Sequence, residues 1–456
     1  MVLKYDAIVI GAGQAGPALA DRMDDEGLKV ALVERHLLGG TCVNVGCVPT
    51  KALVASARAV HMARRGADFG VVIDGQIAVD MAKVKARKDA IVGQSVDGLS
   101  GWIESLEHVT LHRGHARFTG PHQVQVGDEV LEAERVFINV GARAVAPPIP
   151  GLDEVDYLTN SGMMQIDFLP LHLVIVGGSY ISLEFAQMYR RFGSRVSVIE
   201  RGPGLISRED EDVSDAIKGI LEGEGVEIHL DASIERVGRE GEDVVVQLGN
   251  GEAVRGSHLL MAVGRRPNTD DLGLDRAGVQ VGEQGHIAVD EQLRTSAEGV
   301  WAIGDCNGKG AFTHTSYNDF EIIAANLFDG DSRRVSDRIP CYGLFIDPPL
   351  GRVGMTEKEA RESGRKVLVG QRAMANVGRA RERSETDGFI KVLVDADSNE
   401  ILGAAILGIN GDEVVHLLLD VMYAGAPYTV IQRAVHIHPT VAELIPTVLG
   451  GLEPLE

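Results

Sequence analysis

YDAIVIGAGQAGPALADRMDDEGLKVALVE, residues 5–34, decides the fold of this chain. The apolar run Ala7–Ile10 predicts a buried strand, and the residues behind it predict a helix and then a second strand that ends on Glu34. Glycines at the strand-to-helix turn allow close approach of a pyrophosphate, and the terminal acid is suited to bind ribose hydroxyls. The segment therefore predicts a Rossmann-like dinucleotide-binding unit whose turn carries Gly11, Gly13 and Gly16.

The same pattern returns in LHLVIVGGSYISLEFAQMYRRFGSRVSVIE, residues 171–200. The interval from the first glycine to the acid, Gly177 to Glu200, equals the interval from Gly11 to Glu34 in the first copy. Ser179 and Ser182 replace the second and third glycines, but both are small enough for a backbone and a ligand to approach. Two dinucleotide sites in one chain predict electron transfer between two nucleotide cofactors.

Composition narrows the possible partners and the compartment. The 456 residues carry a net charge of −22, which argues against nucleic acid or an anionic membrane as the main partner. The start MVLKYDAIVIGAG leads directly into a strand pattern, so we expect no secretory signal, and no apolar run predicts a membrane span. The four cysteines fit a reducing cytoplasm, where a disulfide is more often catalytic than structural.

The motifs predict an α/β protein with two Rossmann-like dinucleotide-binding domains and an α+β C-terminal dimerisation domain. Segment 122–142 alternates apolar and polar residues, which predicts antiparallel strands packed on the first domain. APPIPG indicates a boundary, and the second unit ends near VGRRPN. We predict an FAD domain over 1–152, a nicotinamide nucleotide domain over 153–267, a segment completing the FAD domain over 268–338 and an interface domain over 339–456.

GGTCVNVGCVPTK, residues 39–51, holds two of the four cysteines. In a regular helix Cys42 and Cys47 would lie too far apart for a disulfide, so bonding requires a break in the helix, which Gly46 favours. A helix start at Cys47, with Lys51 four residues on, would favour its thiolate. Two unrelated buried thiols and a zinc site are the alternatives, but no further zinc ligand lies close in sequence, so a redox pair is favoured. We expect Cys306 and Cys341 to serve packing, and we expect no metal site.

The chain resembles the class I pyridine nucleotide-disulfide oxidoreductases, the flavoenzymes that include glutathione reductase, dihydrolipoamide dehydrogenase and mercuric reductase. The resemblance covers nearly the whole chain. It rests on GAGQAG with its acid, GGTCVNVGCVPTK, GHA at 114–116, VGGSYISLE, VGRRPN, AIGDCNG and HIHPTVAE. Within the family, PPLGRVGMTEKEARESG and GRARERSETDGF are most similar to the mercuric-reductase-like and reactive-chlorine-resistance flavoproteins.

By this resemblance the first unit binds FAD and the second binds a nicotinamide nucleotide on the opposite flavin face. Cys47 lies against the flavin, and Cys42 is the interchange thiol that attacks the acceptor. Lys51 contacts the flavin and pairs with Glu184, and Tyr180 gates entry of the nicotinamide. The implied FAD contacts also include Thr41, Ala116, Asp305 and Thr313, and the implied nicotinamide nucleotide site includes Gly264.

The resemblance also assigns the C-terminal motif. His438 matches the general acid/base, Glu443 orients its ring, and both reach the active site of the other subunit of a homodimer. We expect His436 to be an ordinary surface or core residue. Glu200 would repel a 2′-phosphate, so NADH is favoured over NADPH as the reductant, although Arg201 follows directly.

Three functions remain open from the sequence. The first is electron transfer from NAD(P)H through FAD and the cysteine pair to a small disulfide or an oxidised metal ion. The second is a dihydrolipoamide dehydrogenase in a 2-oxoacid dehydrogenase complex, or a glutathione-type reductase. The third is a redox sensor without catalysis, which would not require Lys51, Glu184, His438 and Glu443. The end HPTVAELIPTVLGGLEPLE lacks the cysteine pair of mercuric reductases, which weighs against mercury as the acceptor.

Overall fold

The computed structural model describes residues 2–455. They form two compact units. The first unit comprises the chain up to Ala52, together with Lys83–Ala146 and Gly264–Arg338. The second comprises Leu53–Ala82, Pro147–Val263 and the chain from Ile339 onward. The predicted boundaries at 152, 267 and 338 stay predictions, because the units follow packing and not cofactor binding.

Elements up to residue 146 alternate between helices and short strands. The helices are α1 (Ala15–Asp25), α2 (Gly40–Asn44), α3 (Cys47–Arg64) and α4 (Met81–Ser105), with a 3₁₀ turn at Gly66–Phe69. The strands are β1 (Val2–Lys4), β2 (Ala7–Ile10), β3 (Val30–Glu34), β4 (Val109–Arg113), β5 (Ala116–Gly120), β6 (Gln123–Val126), β7 (Glu129–Glu132), β8 (Arg135–Ile138) and β9 (Ala142–Ala144).

Residues 147–338 repeat this alternation. The helices are α5 (Asn160–Met163), α6 (Tyr180–Phe192), α7 (Glu211–Gly223), α8 (Leu274–Ala277) and α9 (Thr313–Phe328), with 3₁₀ turns at Leu152–Glu154, Gly304–Asn307 and Val335–Asp337. The strands are β10 (His172–Val176), β11 (Arg195–Ile199), β12 (Glu227–His229), β13 (Ile234–Glu240), β14 (Asp243–Leu248), β15 (Ala253–Gly256), β16 (His258–Met261), β17 (Arg265–Pro267) and β18 (Val300–Ala302).

Residues 339–455 bring longer strands. These are β19 (Cys341–Leu344), β20 (Leu350–Gly354), β21 (Val367–Ala373), β22 (Phe389–Asp395), β23 (Ile401–Leu407) and β24 (Glu453–Pro454). The helices are α10 (Glu357–Glu362), α11 (Gly378–Glu382), α12 (Gly411–Tyr423), α13 (Thr429–Arg433) and α14 (Ile445–Leu449), with 3₁₀ turns at Met374–Asn376 and Ala442–Leu444.

A parallel sheet of order β18-β8-β2-β3-β4 forms the centre of the first unit. Its middle strand β2 is buried along its whole length, because Ala7 and Val9 pack with helices α1 and α9 while Ile8 and Ile10 pack with strands β5 to β7. A second sheet, β1-β7-β6-β5, is antiparallel except for the β1–β7 pair. The expectation of antiparallel strands over 122–142 is therefore right for β6 and β7 and wrong for β8, which joins the parallel sheet because all its residues after Arg135 are apolar and buried.

The second unit contains its own parallel sheet, of order β12-β11-β10-β16. Strand β10 and helix α6 repeat the arrangement of β2 and α1, which confirms the two Rossmann-like units. Along the chain, β12 is followed by a separate antiparallel sheet of order β13-β14-β15. A parallel sheet brings the carboxyl ends of its strands to one edge, and ligands bind at that edge.

The chain from Ile339 onward forms the predicted α+β domain. Its antiparallel sheet has the order β19-β20-β23-β22-β21-β24. Helix α12 packs on β20 and β23, where a Cβ on Gly351 would lie 2.3 Å from the carbonyl oxygen of Gly411. This close approach places α12 against the buried strands. Among residues 2–455, the helices lack the length and apolarity required to cross a membrane.

Candidate active site

The first strand-to-helix turn is built by a glycine with a positive φ and a buried acid. Gly11 has a φ of 110°, and a Cβ at this position would lie 2.3 Å from the carbonyl oxygen of Asn139. The carboxylate of Glu34 accepts hydrogen bonds from the backbone N–H groups of Ala12 at 2.9 Å and His36 at 2.7 Å. Because Glu34 is nearly buried at the end of β3, its charge is fixed next to the turn.

The remaining FAD residues predicted from the resemblance lie in the same unit. Asp305 lies in the 3₁₀ turn after β18 and forms an ion pair of 2.8 Å with Arg265. Burial raises the pKa of Asp305, which the neighbouring guanidinium partly offsets. Arg265 also donates to the Ala142 carbonyl and lies 3.4 Å from the hydroxyl of Thr41. Ala116 is the first residue of β5. Gly264, which the resemblance assigns to the nicotinamide nucleotide site, has a φ of 142° and precedes Arg265.

The cysteine segment contains the break in the helix that the spacing required. Helix α2 ends at Asn44, Val45 leaves the helical conformation with a φ of −142°, and α3 begins at Cys47. A Cβ on Gly46 would lie 2.8 Å from the Thr41 carbonyl oxygen, so only glycine fits this turn. The break allows the two thiols to form a hydrogen bond, which an unbroken helix would not.

The two thiols have opposite acidities. The hydrogen bond from Cys42 lowers the pKa of Cys47 to about 6, and the hydroxyl of Thr313 and the charge of Lys51 act in the same direction. The Thr313 hydroxyl lies 3.2 Å from the Cys47 sulfur. The same hydrogen bond, together with burial, raises the pKa of Cys42 far above its ordinary value. At neutral pH the reduced pair therefore holds a thiolate at Cys47 and a thiol at Cys42.

Helix N-termini reinforce this polarity. Cys47 is the first residue of α3 and Thr313 is the first residue of α9. The unsatisfied N–H groups at a helix start carry partial positive charge, which stabilises an anion. The sulfur of Cys47 thus lies beside two such helix starts.

The second strand-to-helix turn repeats the first one contact by contact. Gly177 has a φ of 110°, and a Cβ there would lie 2.5 Å from the carbonyl oxygen of Ala262. The carboxylate of Glu200 accepts hydrogen bonds from Gly178 N–H at 2.6 Å and Gly202 N–H at 2.7 Å. The acid is therefore held at the turn, where it faces a ribose in dinucleotide-binding units.

Two predicted residues lie on the helix that follows this turn. Tyr180 is the first residue of α6, and burial raises its pKa to about 12. Glu184 is buried one turn later, and its carboxylate accepts a hydrogen bond of 3.1 Å from the Phe345 backbone N–H. The ion pair between Glu184 and Lys51 remains a prediction.

His438 and Glu443 form the predicted pair near the C-terminus. The His438 Nδ1 lies 3.1 and 2.9 Å from the two carboxylate oxygens of Glu443. These acceptors hold the proton on Nδ1, so the lone pair of the neutral ring is on Nε2. The His438 side chain is 80% exposed, and Nε2 is therefore open to a reaction partner outside the chain. The His436 Nδ1 instead lies 3.2 Å from the Ala434 carbonyl oxygen.

The other two cysteines lie in apolar surroundings. Cys306 is fully buried and lies within 3.4 Å of the carbonyls of Ile138 and Ile303, and burial raises its pKa to about 12. Cys341 is half-buried at the start of β19 and packs against the C-terminal core. Their surroundings agree with a packing role.

An acidic cluster in the second unit is neutralised by cations of the chain. Asp210, Asp212 and Glu357 approach one another closely enough to hold a metal ion. The ammonium of Lys391 already lies 3.1, 2.7 and 2.7 Å from these three carboxylates. The three carboxylates are therefore paired with a cation of the protein itself.

Several residues of the candidate site were absent from the predictions. Arg265 belongs to the VGRRPN motif, so its sequence signal was available although its pairing with Asp305 was not. The Asn139 side chain donates a hydrogen bond of 3.0 Å to the Gly11 carbonyl. Asn139 follows β8, far from Gly11 along the chain, and it belongs to none of the motifs found in the sequence. Arg208 lies 5.1 Å from the ring of Tyr180, a contact that local sequence cannot predict.

Family models match both parts of the chain. Residues 5–319 match the pyridine nucleotide-disulphide oxidoreductase model, and residues 341–449 match the dimerisation domain of the same family. The chain belongs to the pyridine nucleotide-disulphide oxidoreductases, which confirms the predicted class. It is an oxidoreductase of a family that uses FAD and a pyridine nucleotide, and the dimerisation-domain match supports a homodimer.

Individual relatives are similar over almost their full length. A probable pyridine nucleotide-disulfide oxidoreductase, RclA, of Escherichia coli strain K12 is 36% identical over 96% of this chain and 97% of its own. The mercuric reductase of Streptomyces lividans is 35% identical over 97% of this chain and 94% of its own. The Cu(II) complex of the HOCl-induced flavoprotein disulfide reductase RclA from E. coli superposes with a TM-score of 0.90 at 34% identity, covering 98% of this chain and 99% of that one.

The two turns fit the two cofactors of the family. In both, a Cβ on the first glycine would collide with a backbone carbonyl, and in both a carboxylate is held by backbone N–H groups at the position that binds ribose. At Gly13 the nearest atom to an added Cβ is 3.5 Å away, so the missing side chain leaves the start of α1 open to a pyrophosphate.

Proposed function

We propose that this protein is an NADH-dependent, FAD-containing reductase that uses the Cys42–Cys47 pair to reduce an oxidised metal ion or a small disulfide. The observation that carries the proposal is the asymmetry of the pair: Cys47 begins α3 with the Thr313 hydroxyl 3.2 Å from its sulfur, which lowers the pKa of Cys47, whereas burial and the hydrogen bond to Cys47 raise the pKa of Cys42. A structural pair would have no need of this difference. The small number of cysteines in 456 residues supports a reducing, cytoplasmic compartment.

The chain supplies the residues to hold FAD in the first unit. We assign Gly11, Gly13, Gly16, Glu34, Thr41, Ala116, Asp305 and Thr313 to this task. When bound, the flavin supplies the relay of two electrons between the nicotinamide and the cysteine pair. Lys51, which is half-buried, and Glu184, which is buried, are proposed to pair beside it, as the resemblance to the family implies.

The cysteine chemistry follows from the two acidities. Two electrons break the Cys42–Cys47 bond and leave a thiolate at Cys47 and, after uptake of one proton, a thiol at Cys42. Removal of that proton makes Cys42 the attacking thiolate, whereas Cys47 re-forms the bond afterwards. For a disulfide acceptor, both electrons and two protons leave with two product thiols. For a copper(II) acceptor, each ion takes one electron, so one NADH reduces two ions.

We assign the proton transfer at Cys42 to the dimer partner. His438 of the partner subunit, oriented by the partner's Glu443, takes the proton from Cys42 through Nε2. The pair supports this role because Nδ1 is held by the carboxylate and Nε2 is open. A group that must work in another subunit has to be exposed in its own, as the His438 side chain is.

Copper(II) is the first acceptor to test. A solved structure that superposes over nearly the whole chain is a Cu(II) complex of a flavoprotein disulfide reductase. Thiolates reduce Cu(II) and retain Cu(I), which is a soft ion. The segment after Glu443 contains no cysteine to deliver mercury, so Hg²⁺ is expected to be a poorer acceptor despite the similarity to mercuric reductase.

NADH is the proposed reductant because Glu200 occupies the ribose position of the second turn. Its carboxylate is fixed by two backbone N–H groups, so a 2′-phosphate would meet a charge that cannot turn away. Comparing kcat/KM for the two reductants tests this proposal. A clear preference for NADPH would contradict it and would indicate that Arg201, and not Glu200, determines the nucleotide specificity.

The acceptor experiment follows consumption of NADH by the FAD-loaded homodimer at 340 nm. The acceptors are Cu²⁺, Hg²⁺, oxidised glutathione and lipoamide. Cys42→Ser should abolish reduction of every acceptor while NADH still bleaches the flavin. Cys341→Ser, a cysteine outside the site, is the matched control and should retain activity. Full activity of Cys42→Ser would refute the proposal.

Dihydrolipoamide dehydrogenase is the second candidate. The His438–Glu443 pair favours it, because a disulfide acceptor requires the pair both to take the Cys42 proton and to protonate the departing thiols, whereas with a metal ion only the Cys42 proton is transferred. His438→Gln separates the two functions. It should reduce lipoamide turnover by at least about 10²-fold, as loss of a general acid does, and should spare Cu²⁺ reduction relative to lipoamide.

A further inference from the structure

Tyr180, the first residue of α6, packs against two side chains, Arg208 and Tyr342, that come from other parts of the second unit. The Arg208 guanidinium lies 5.1 Å from the centre of the Tyr180 ring and 5.9 Å from the centre of the Tyr342 ring. The two rings meet edge to face at 5.7 Å. A cation over an aromatic face and an edge-to-face ring pair are both attractive, so the three side chains form one cluster.

Tyr342 is held firmly by a buried ion network. Its hydroxyl donates a hydrogen bond to the Glu209 carboxylate, whose side chain is fully buried. Arg352, only 2% exposed, donates to both oxygens of Glu209 and lies 3.1 Å from Asp210. Removing Arg352 would leave the Glu209 carboxylate buried without this cation, which is energetically costly. The ring of Tyr342 is therefore held in a fixed position.

Arg208 comes from the segment that follows Glu200, the ribose acid of the second turn. This segment is tied to the turn by a hydrogen bond of 2.9 Å from the Ile206 N–H to the Gly178 carbonyl. Ile206 has a φ of 49°, a conformation that β-branched residues rarely adopt, and the arrangement directs the exposed Arg208 toward Tyr180. The cluster thus lies at the start of the helix that faces the dinucleotide.

We propose that Arg208 and Tyr342 are positioning residues that hold the Tyr180 ring closed over the second dinucleotide site until the nicotinamide enters. The inference rests on the proposed function, since it takes NADH as the occupant of that site. Entry requires the Tyr180 ring to leave its place at the head of α6, and leaving separates it from the guanidinium and from the fixed ring.

The effect on binding follows from the population of the closed ring. A nucleotide that binds only the open form has an apparent affinity reduced by the open fraction. A contact made only in the closed form therefore weakens nucleotide binding without altering the reaction of the bound nucleotide. Removing the contact should tighten binding, whereas removing a residue that binds the nucleotide should weaken it.

The test is calorimetric titration of NAD⁺ into the oxidised FAD-loaded homodimer, where no turnover occurs. Arg208→Met keeps the length of the side chain and removes the cation, so the Kd should fall about two- to fivefold, the equivalent of one exposed cation–π contact. Arg208→Lys retains a cation and should lie close to the wild type. Tyr342→Phe keeps the ring but loses the bond to Glu209, and it should show part of the decrease.

Stopped-flow reduction of the flavin by NADH provides the second measurement. In Arg208→Met the nucleotide concentration for half-maximal rate should fall by the same factor, with an unchanged limiting rate. The matched control is Arg195→Met, which removes an exposed cation at the other end of β11 and should change neither value.

Two results would overturn the inference. A weaker Kd in Arg208→Met would make Arg208 a ligand of the nucleotide, and an unchanged Kd would make the cluster irrelevant to entry. Both results leave the proposed function intact if NADH bleaches the wild-type flavin. Wild-type enzyme that neither binds NAD⁺ nor is bleached by NADH would refute the proposed function itself, and the inference with it.

Discussion

The two strand-to-helix turns share the same acid contacts but differ in the small residues between them. Glu34 and Glu200 each accept one bond from the residue after the first glycine and one from two residues beyond the acid. In the first copy Asn139 donates to the Gly11 carbonyl, and a Cβ on Gly16 would lie 2.1 Å from that carbonyl. The second copy has Ser182 at the corresponding position, and its hydroxyl points to the Ala262 carbonyl at 3.5 Å.

The comparison separates what the motif requires from what it tolerates. In both copies the first glycine has a φ of 110° and lies close to a backbone carbonyl, and the acid accepts hydrogen bonds from backbone N–H groups at equivalent positions, so their roles are geometric. The third small residue depends on its neighbours. A glycine is required in the first copy, where an added Cβ would meet a carbonyl at 2.1 Å, whereas the second copy accommodates the Ser182 side chain at the corresponding position.

Substituting the first glycine should produce the largest effects. Gly11→Ala and Gly177→Ala each force a Cβ against a backbone oxygen and impose a φ near 110°, at a cost of about 1–3 kcal/mol for the backbone alone. We expect Gly11→Ala to purify without flavin. Gly177→Ala should keep its flavin but bind NADH at least about tenfold more weakly.

Absorbance at 450 nm per protein and calorimetric titration with NAD⁺ distinguish the two variants. Gly27→Ala is the control for a positive φ outside the turns, because nothing lies within 4 Å of its added Cβ. Retention of flavin by Gly11→Ala together with loss of flavin by Gly177→Ala would exchange the two cofactor assignments.

The two acids should show the next largest difference. Glu200→Ala removes an acceptor from two backbone N–H groups and from the ribose, so the KM for NADH should rise about tenfold with little change in kcat. Glu34→Ala should instead lower the flavin content and leave the KM of the remaining holoenzyme unchanged. Steady-state kinetics normalised to bound flavin test both expectations, and equal effects on KM would contradict the division of labour.

Local sequence predicted these two turns because every required residue lies within 24 consecutive positions. The break between α2 and α3 was equally local, since the cysteine spacing demanded it and Gly46 permitted it. Arg265 with Asp305 and Arg208 with Tyr342 were not predicted, because 40 and 134 positions separate the partners along the chain. Strand β8 was misplaced for a related reason: an apolar strand at the end of antiparallel ones gives no sign of which sheet it joins.

A smaller effect is expected at the thiolate, which only the first unit possesses. Thr313→Val keeps the shape of the side chain but removes the hydroxyl 3.2 Å from Cys47. Because that hydroxyl stabilises the thiolate, the pKa of Cys47 should rise from about 6 by about half to one unit. The Cys47 thiolate of the variant then forms only at a higher pH, and as the pH falls it is protonated sooner than in the wild type.

Alkylation of the reduced enzyme by iodoacetamide as a function of pH measures this change, with Cys47 followed by mass spectrometry of its peptide. Thr313→Ser keeps a hydroxyl and should behave as the wild type. A midpoint for Thr313→Val equal to that of the wild type would show that Cys42 and Lys51 alone set the acidity.

The smallest effect should come from making the second copy match the first. Ser182→Gly restores the third glycine, and a glycine inside α6 costs about 1 kcal/mol of stability relative to alanine and less than that relative to serine. The hydroxyl contact that it removes, at 3.5 Å, is weak. For a chain of this length we therefore expect Tm to fall by about 1 °C or less and the Kd for NAD⁺ to change less than twofold. A tenfold tighter Kd would show that the third glycine governs nucleotide approach in both copies, and the tolerance inferred for the second turn would be wrong.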